Sequence, residues 1–296
     1  MKEEDNISAG KEDHPVFHRA IVAIALSPHL PAILNQSSRL LASLGAETIL
    51  LHVGPDTAAA RKKLKAAIET SHYHGDSLPE LIIRQGQPVD VIAEVARHHR
   101  ADLIFAGAAR KESLLRHFIG SVAHQLAQKA PCSLLLMTDQ DSTPEPVERV
   151  HCAVEYDRAA HFTVEVAMGI ARRLQSKELV LTHSFRVAEW EGKGRSFPAD
   201  EEIRRIYRRQ DARLQRFLAR YKMKGIRYRA QCFYERTFDS TLTFARDVNA
   251  NLLVIPGPRR HIGIWDRLLK DNIAHLLQSL PDAILLTRKP RYRVHR

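Results

Sequence analysis

At 296 residues with 44% hydrophobic side chains, the chain is long for one domain and comfortable for two of about 150 residues each. No apolar run reaches the roughly 18 residues of a membrane-spanning helix, and the charged start MKEEDNISAGKEDH lacks an apolar signal region; a cytoplasmic protein is expected. The net charge of +11 and the pI near 9.8 allow nucleic acid, nucleotides, anionic lipid or acidic protein as partners and select none.

Residues 1–16 read as a disordered tail. FHRAIVAIAL at 17–26 reads as a buried strand, with too little polar alternation to be half exposed. The leucines and isoleucine at 30, 33, 34, 40, 41 and 44 predict a helix over 30–44, with Gly45 where a helix stops. Strand 47–53, helix 57–72, strand 81–84 and helix 89–98 follow. The stretch ADLIFAGAARKESLLRHFIGSVAHQLAQKAPCSLLL at 101–136 then reads as strand, loop, helix and strand, one right-handed parallel crossover. Five strands alternating with helices, without hairpin signals, predict an α/β fold with a parallel sheet covered on both faces.

Within that stretch Gly107 ends a strand, and Gly120-Ser121 opens a helix. Glycines at such junctions let backbone N–H groups approach an anion, and a helix N-terminus adds positive potential. The order is Gly107, two residues, Arg110, nine residues, Gly120-Ser121. This arrangement resembles the universal stress protein family, whose nucleotide-binding members carry G-x-x-G, nine residues, then G-[ST]; here Arg110 stands at the second glycine. The lead-in through Gln87-Pro88, a helix and Ala101-Asp102 is also similar. The resemblance covers most of 17–138 and, in a worn form, 149–288.

The resemblance implies two Rossmann-like domains of the adenine-nucleotide alpha-hydrolase-like type, each a five-stranded parallel sheet in the order 3-2-1-4-5. Ligands of such sheets sit at the carboxyl ends of the strands, where the order reverses. ATP or another adenine nucleotide is the implied ligand, with Ala25, Val53, Gly107, Arg110, Gly120, Ser121 and Val122 as candidate contacts in the first half. Nucleotide-binding relatives place an Asp at the position of Ala25, and its loss costs on the order of 1–3 kcal/mol. Arg110 offers a guanidinium to phosphate oxygens. The other reading is that Gly107 and Gly120 serve tight turns and helix capping.

The polar stretch DQDSTPEPVE, 139–148, reads as a linker, after which the pattern restarts. Strand 149–156, helix 159–174 and strand 179–183 repeat the first three elements, and Gly257, Arg260 and Pro281 stand at one constant offset from Gly107, Arg110 and Pro131. A period this long means a duplicated domain, here 149–288, before a basic tail at 289–296. One sheet does not easily hold ten such strands, so two lobes are expected. The second site is degenerate: Glu155 supplies a carboxylate at the place of Ala25, Gly257 and Arg260 remain, and Lys270-Asp271 replaces Gly120-Ser121. The resemblance also implies pairing through the last strands, so that the halves form an internal pseudo-dimer in a monomer or homodimer.

The largest insertion, 187–225, carries an amphipathic helix over 201–224. Ile203, Ile206, Tyr207, Leu214, Phe217, Leu218 and Tyr221 form its apolar stripe, flanked by Arg204, Arg205, Arg208, Arg209, Arg213, Arg216 and Arg220. It is either a helix docked on the sheet with arginine stems over the edge or a weak nucleic-acid or anionic-surface contact. Cys132, Cys152 and Cys232 lie apart in apolar runs and read as reduced, buried thiols. His72, His74 and Asp76, and the pair His98-His99, lack the spacing of a metal site. There is no G-x-S-x-G and no Walker loop. The expectation is a stress-response binding or regulatory protein, not an enzyme; the alternatives are a weak nucleotide hydrolase and a basic nucleic-acid-associated protein.

Overall fold

The computed structural model describes residues 16–73, 78–107, 121–137, 146–156, 159–185, 200–234, 240–257, 281–290 and 292. The first half runs β1 (Arg19–Ile24), α1 (Leu30–Leu44), β2 (Glu47–Val53), α2 (Ala58–Glu69), β3 (Glu80–Arg84), α3 (Pro88–His98), β4 (Leu103–Gly107), α4 (Ser121–Lys129) and β5 (Ser133–Met137). The second runs β6 (Arg149–Ala153), α5 (Ala160–Arg173), β7 (Glu178–Phe185), α6 (Asp200–Leu218), β8 (Tyr228–Tyr234), α7 (Ser240–Asp247), β9 (Leu252–Pro256) and β10 (Ala283–Thr287).

These strands form one ten-stranded sheet in the order β3-β2-β1-β4-β5-β10-β9-β6-β7-β8. The first half has the expected 3-2-1-4-5 order, and the second repeats it as 8-7-6-9-10. Pairing is parallel within each half and antiparallel at the seam, where Leu134, Leu135, Leu136 and Met137 face Leu286, Leu285, Ile284 and Ala283. The expectation of two separate five-stranded sheets is thereby corrected. All five residues of β5 and all five of β10 are buried. A free edge on either strand would leave ladder N–H and C=O groups unpaired, and pairing the two edges satisfies both.

The apolar cores also cross the seam. On one face α1, α2, α5 and α6 pack over Val22, Leu50, Phe105, Leu135, Leu285, Val254, Cys152 and Leu181. On the other, α3, α4 and α7 pack over Ile21, Leu51, Ile104, Leu136, Ile284 and Leu253. The two sets alternate along each strand, as a pleated sheet covered on both sides requires.

Local chemistry sets the element ends. Gly45, at φ 75°, closes α1 with its N–H on Ala42 O, a left-handed cap that glycine adopts without a Cβ clash. Thr57 caps α2 through a bond from Ala60 N to Thr57 Oγ1 (3.1 Å). That helix stops short of the expected residue 72, where Thr70 Oγ1 and Ser71 Oγ donate to Ala66 O and Ile68 O. Likewise α6 ends at Leu218 and not at 224; Tyr221 N bonds Leu218 O (3.0 Å) and Gly225 turns the chain at φ 79°.

The duplication is visible in polar detail. Asp102, before β4, accepts the backbone N–H groups of His18 and Arg19 with its carboxylate. Asn251, before β9, accepts those of Glu148 and Arg149 with its amide oxygen. Arg19 Nη1 donates to His99 O (2.8 Å) and Arg149 Nη1 to Val248 O (2.7 Å). After β10, Arg288 donates to Ala130 O and Ala127 O at the end of α4, a cation at the negative pole of that helix. Tyr292 reaches Ala101 O.

Candidate functional site

In the first half the strand order reverses between β1 and β4, both of which pair with each other while connecting to opposite sides. Ile24 is level with His52, and Ala23 with Ala106. Ala25, Val53 and Gly107 therefore come to the same carboxyl edge, as the sequence predicts. Ala25 is exposed, and its carbonyl accepts Ser27 N (2.9 Å) to start the turn into α1. Val122 is exposed in the first turn of α4, which Ser121 opens. Arg110 and Gly120 lie outside the described residues.

His52 is a residue of this edge that motif reasoning did not assign. Its ring is buried, with Nδ1 3.1 Å from Ile24 O, and so ties the end of β2 to the end of β1. A Cβ on Gly54 would stand 2.7 Å from His52 Nε2, which explains glycine there. The repeated ILLH and LVLTH strings were the available signal.

At the matching edge of the second half, Glu155 follows β6 and Gly257 follows β9, with Gly257 N bonded to Thr287 O (2.9 Å). Arg260, Lys270 and Asp271 lie outside the described residues. Beyond β6 the chain turns, so the expected strand 149–156 ends at Ala153. Tyr156 packs against His183 with ring centroids 4.2 Å apart and against Phe217 at 5.6 Å. Arg213 lies over the Tyr156 ring at 4.1 Å, a cation–π contact. A groove of about 510 Å³ opens here, lined by Tyr156, His161, Arg213, Arg216, Phe217 and Arg220. Burial pushes the Tyr156 hydroxyl well above the usual tyrosine pKa. A second cavity, about 550 Å³, lies at the seam between α1 and α5, where Arg39, Ser43, Arg173, Asn251 and Asp282 are among its walls; Arg173 Nε donates to Ser43 O (3.1 Å).

The helix α6 buries Leu214 and Leu218, with Ile206, Tyr207, Phe217 and Tyr221 packed beside them, while the arginines of its other face are exposed. Cys132, Cys152 and Cys232 are free and buried, and burial pushes each thiol up to about 12, which suppresses the reactive thiolate. His72 Nε2 lies 2.8 Å from Arg39 Nη2, and His98 packs on His99 at 4.9 Å. His74 and Asp76 lie outside the described residues, and among the described residues no three metal-ligating side chains converge. Among them, too, no helix is long and apolar enough to cross a membrane.

Comparison with known proteins agrees with this geometry. A universal stress protein from Archaeoglobus fulgidus DSM 4304 has a similar structure, with a TM-score of 0.60, 14% identity and coverage of 93% of this chain and 99% of that one. A protein of unknown function from Pseudomonas aeruginosa PAO1 gives 0.60 and 16%, covering 91% and 92%. The cytoplasmic domain of a prokaryotic cation chloride cotransporter gives 0.52 and 10%, covering 91% and 94%; the fold is shared, and fold alone does not fix function. No curated protein sequence matches the chain. The model of the universal stress protein family matches residues 17–137, the stretch that runs from β1 through β5.

Proposed function

We propose that the chain is a tandem universal stress protein of the cytoplasm that acts in stress responses by binding, without turnover, and that its first half takes an adenine nucleotide weakly. The observation that supports this reading is the convergence of Ala25, Val53 and Gly107 at the β1/β4 reversal of the half that matches the family. At that edge backbone N–H groups and a helix start suit a phosphate. Ala25 leaves the nucleoside without a carboxylate acceptor, so affinity is modest.

The test is mass spectrometry of small molecules released from gently purified protein, followed by calorimetry with ATP and ADP. Ala25→Asp restores an acceptor and is expected to tighten nucleotide binding about tenfold. A wild-type protein and an Ala25→Asp variant that both fail to bind overturn the nucleotide reading. Steady ATP turnover by purified protein overturns the reading as a non-enzyme.

A further inference from the structure

We propose that the groove between the start of α5 and the C-terminal half of α6 binds a small phosphate-bearing anion, held by Arg213, Arg216 and Arg220 with the Tyr156 hydroxyl as a neutral donor. This goes beyond the nucleotide reading of the first half and stands on a different set of residues.

The first observation is placement. Arg209, Arg213 and Arg216 follow one another at steps of four and three on α6, so they form one stripe along the helix, and Arg220 continues it in the turn just past Leu218. Three of them line the groove. Among the described residues none of the four is in an ion pair, whereas Arg19, Arg61, Arg84 and Lys177 each hold a carboxylate at 2.6 to 3.1 Å. Asp211 and Glu165 act electrostatically on Tyr156 and Tyr221, but neither lines the groove. Neighbouring like charges repel, and an anion between them relieves the repulsion.

The second observation is a donor without a partner. The Tyr156 hydroxyl oxygen is buried and makes no hydrogen bond. A buried polar group left unpaired is costly, and its raised pKa keeps the proton available for donation. His161 Nδ1 is already engaged by the Tyr221 hydroxyl (2.7 Å).

The size and floor of the groove indicate the kind of anion. A volume of about 510 Å³ falls in the range of small-ligand pockets. Its rings face each other: Phe217 packs on Tyr156, His161 and Tyr221, and Tyr156 is covered by His183 and Arg213. Rings packed on one another in this way do not form the row of separate platforms on which successive bases stack in single-strand binding. Guanidiniums, in contrast, match phosphate oxygens in pairs. The phosphates are those of a free polyphosphate or small metabolite, and the experiment separates this source from the end of a nucleic acid strand.

Calorimetry of the full chain with inorganic tripolyphosphate at physiological salt is the primary measurement, with a terminally phosphorylated oligonucleotide in a parallel titration. Arg216→Gln and Arg220→Gln are each expected to weaken tripolyphosphate binding about tenfold, and Tyr156→Phe by a smaller factor. Arg204→Gln, on the same helix but outside the groove, is expected to leave it unchanged. Thermal melts of these variants verify that they fold. The proposal is overturned if tripolyphosphate does not bind, if Arg204→Gln weakens binding as much as Arg216→Gln, or if the oligonucleotide binds more tightly than tripolyphosphate with a steep salt dependence.

Discussion

His183 Nδ1 lies 2.8 Å from the carbonyl oxygen of Val154, and the bond has a counterpart in the other half between His52 and Ile24 (3.1 Å). In both halves a histidine near the end of the second strand fastens the end of the first, where the chain leaves the sheet. A carbonyl accepting from an imidazole N–H fixes the ring and its tautomer. The site edge of each half is thus held by a side chain, whose sequence signal is the histidine shared by the repeated ILLH and LVLTH strings.

Buried histidines make the protein sensitive to acid. Burial lowers the pKa of His183 and lowers that of His151, in β6, from 6.5 to about 3. The unfolded chain therefore binds more protons below pH 6.5 than the folded one, and stability falls as the pH drops through that window toward about 3. Each such histidine contributes a slope of up to about 1.4 kcal/mol per pH unit. His151→Leu removes one of these protons; the cost of stranding its partner Thr182 Oγ1 (2.7 Å) is independent of pH. Urea unfolding across this range should show a shallower pH slope in the variant, and an identical slope would contradict the assignment.

Gln175 follows α5 at φ 51°, the role that Gly45 plays after α1 at φ 75°. Both terminate their helices with the same pair of backbone bonds: Gly45 N to Ala42 O and Ala46 N to Leu41 O, Gln175 N to Arg172 O and Ser176 N to Ala171 O. A side chain at positive φ costs about 1 kcal/mol. Gln175→Gly is expected to raise stability by up to that amount, and Gly45→Ala to lower it by about 1 kcal/mol, both read from denaturant midpoints.

Asp102 and Asn251 perform one task with different groups. Asp102→Asn should therefore be mild, since the amide oxygen of Asn251 already accepts two such N–H groups. Asp102→Ala leaves the N–H groups of His18 and Arg19 unpaired and is expected to cost about 1–3 kcal/mol. Equal losses for the two variants would show that the charge, and not the acceptor geometry, matters there.

The seam predicts the behaviour of the separated halves. A fragment of residues 17–137 exposes the β5 edge, whose five residues are all buried in the full chain; it should self-associate in sedimentation experiments. In the intact chain Leu285→Ala, at 1% exposure, should cost about 2–5 kcal/mol. A fragment that stays monomeric and soluble would show that the seam pairing is dispensable.

Much of this architecture was legible in the sequence because it is written locally. The leucine spacing and Gly45 define α1 to the residue, and β2 has the predicted bounds. The residues alone did not make the single sheet legible: an all-apolar strand such as SLLLM reads as buried whether helices or another strand cover its edge, and only the family resemblance implied that the last strands of the two halves, β5 and β10, pair. The end of α6 was overextended because Tyr221 continues the apolar stripe into a turn. Ala25, Val53 and Gly107 were placed correctly at one edge because strand ends follow from topology. Tyr156 and His161 were missed because their pocket depends on where α6 comes to rest, which no spacing encodes.

The head-to-tail meeting of β5 and β10 fixes one more property. Strands of the first half all point one way and those of the second the other, so the ends of β1 and β6 emerge at opposed margins of the molecule. A ligand beside Ala25 and one beside Tyr156 never touch. The central strands and the side chains packed across the seam lie between them, and each can be occupied, vacated or mutated without crowding its counterpart.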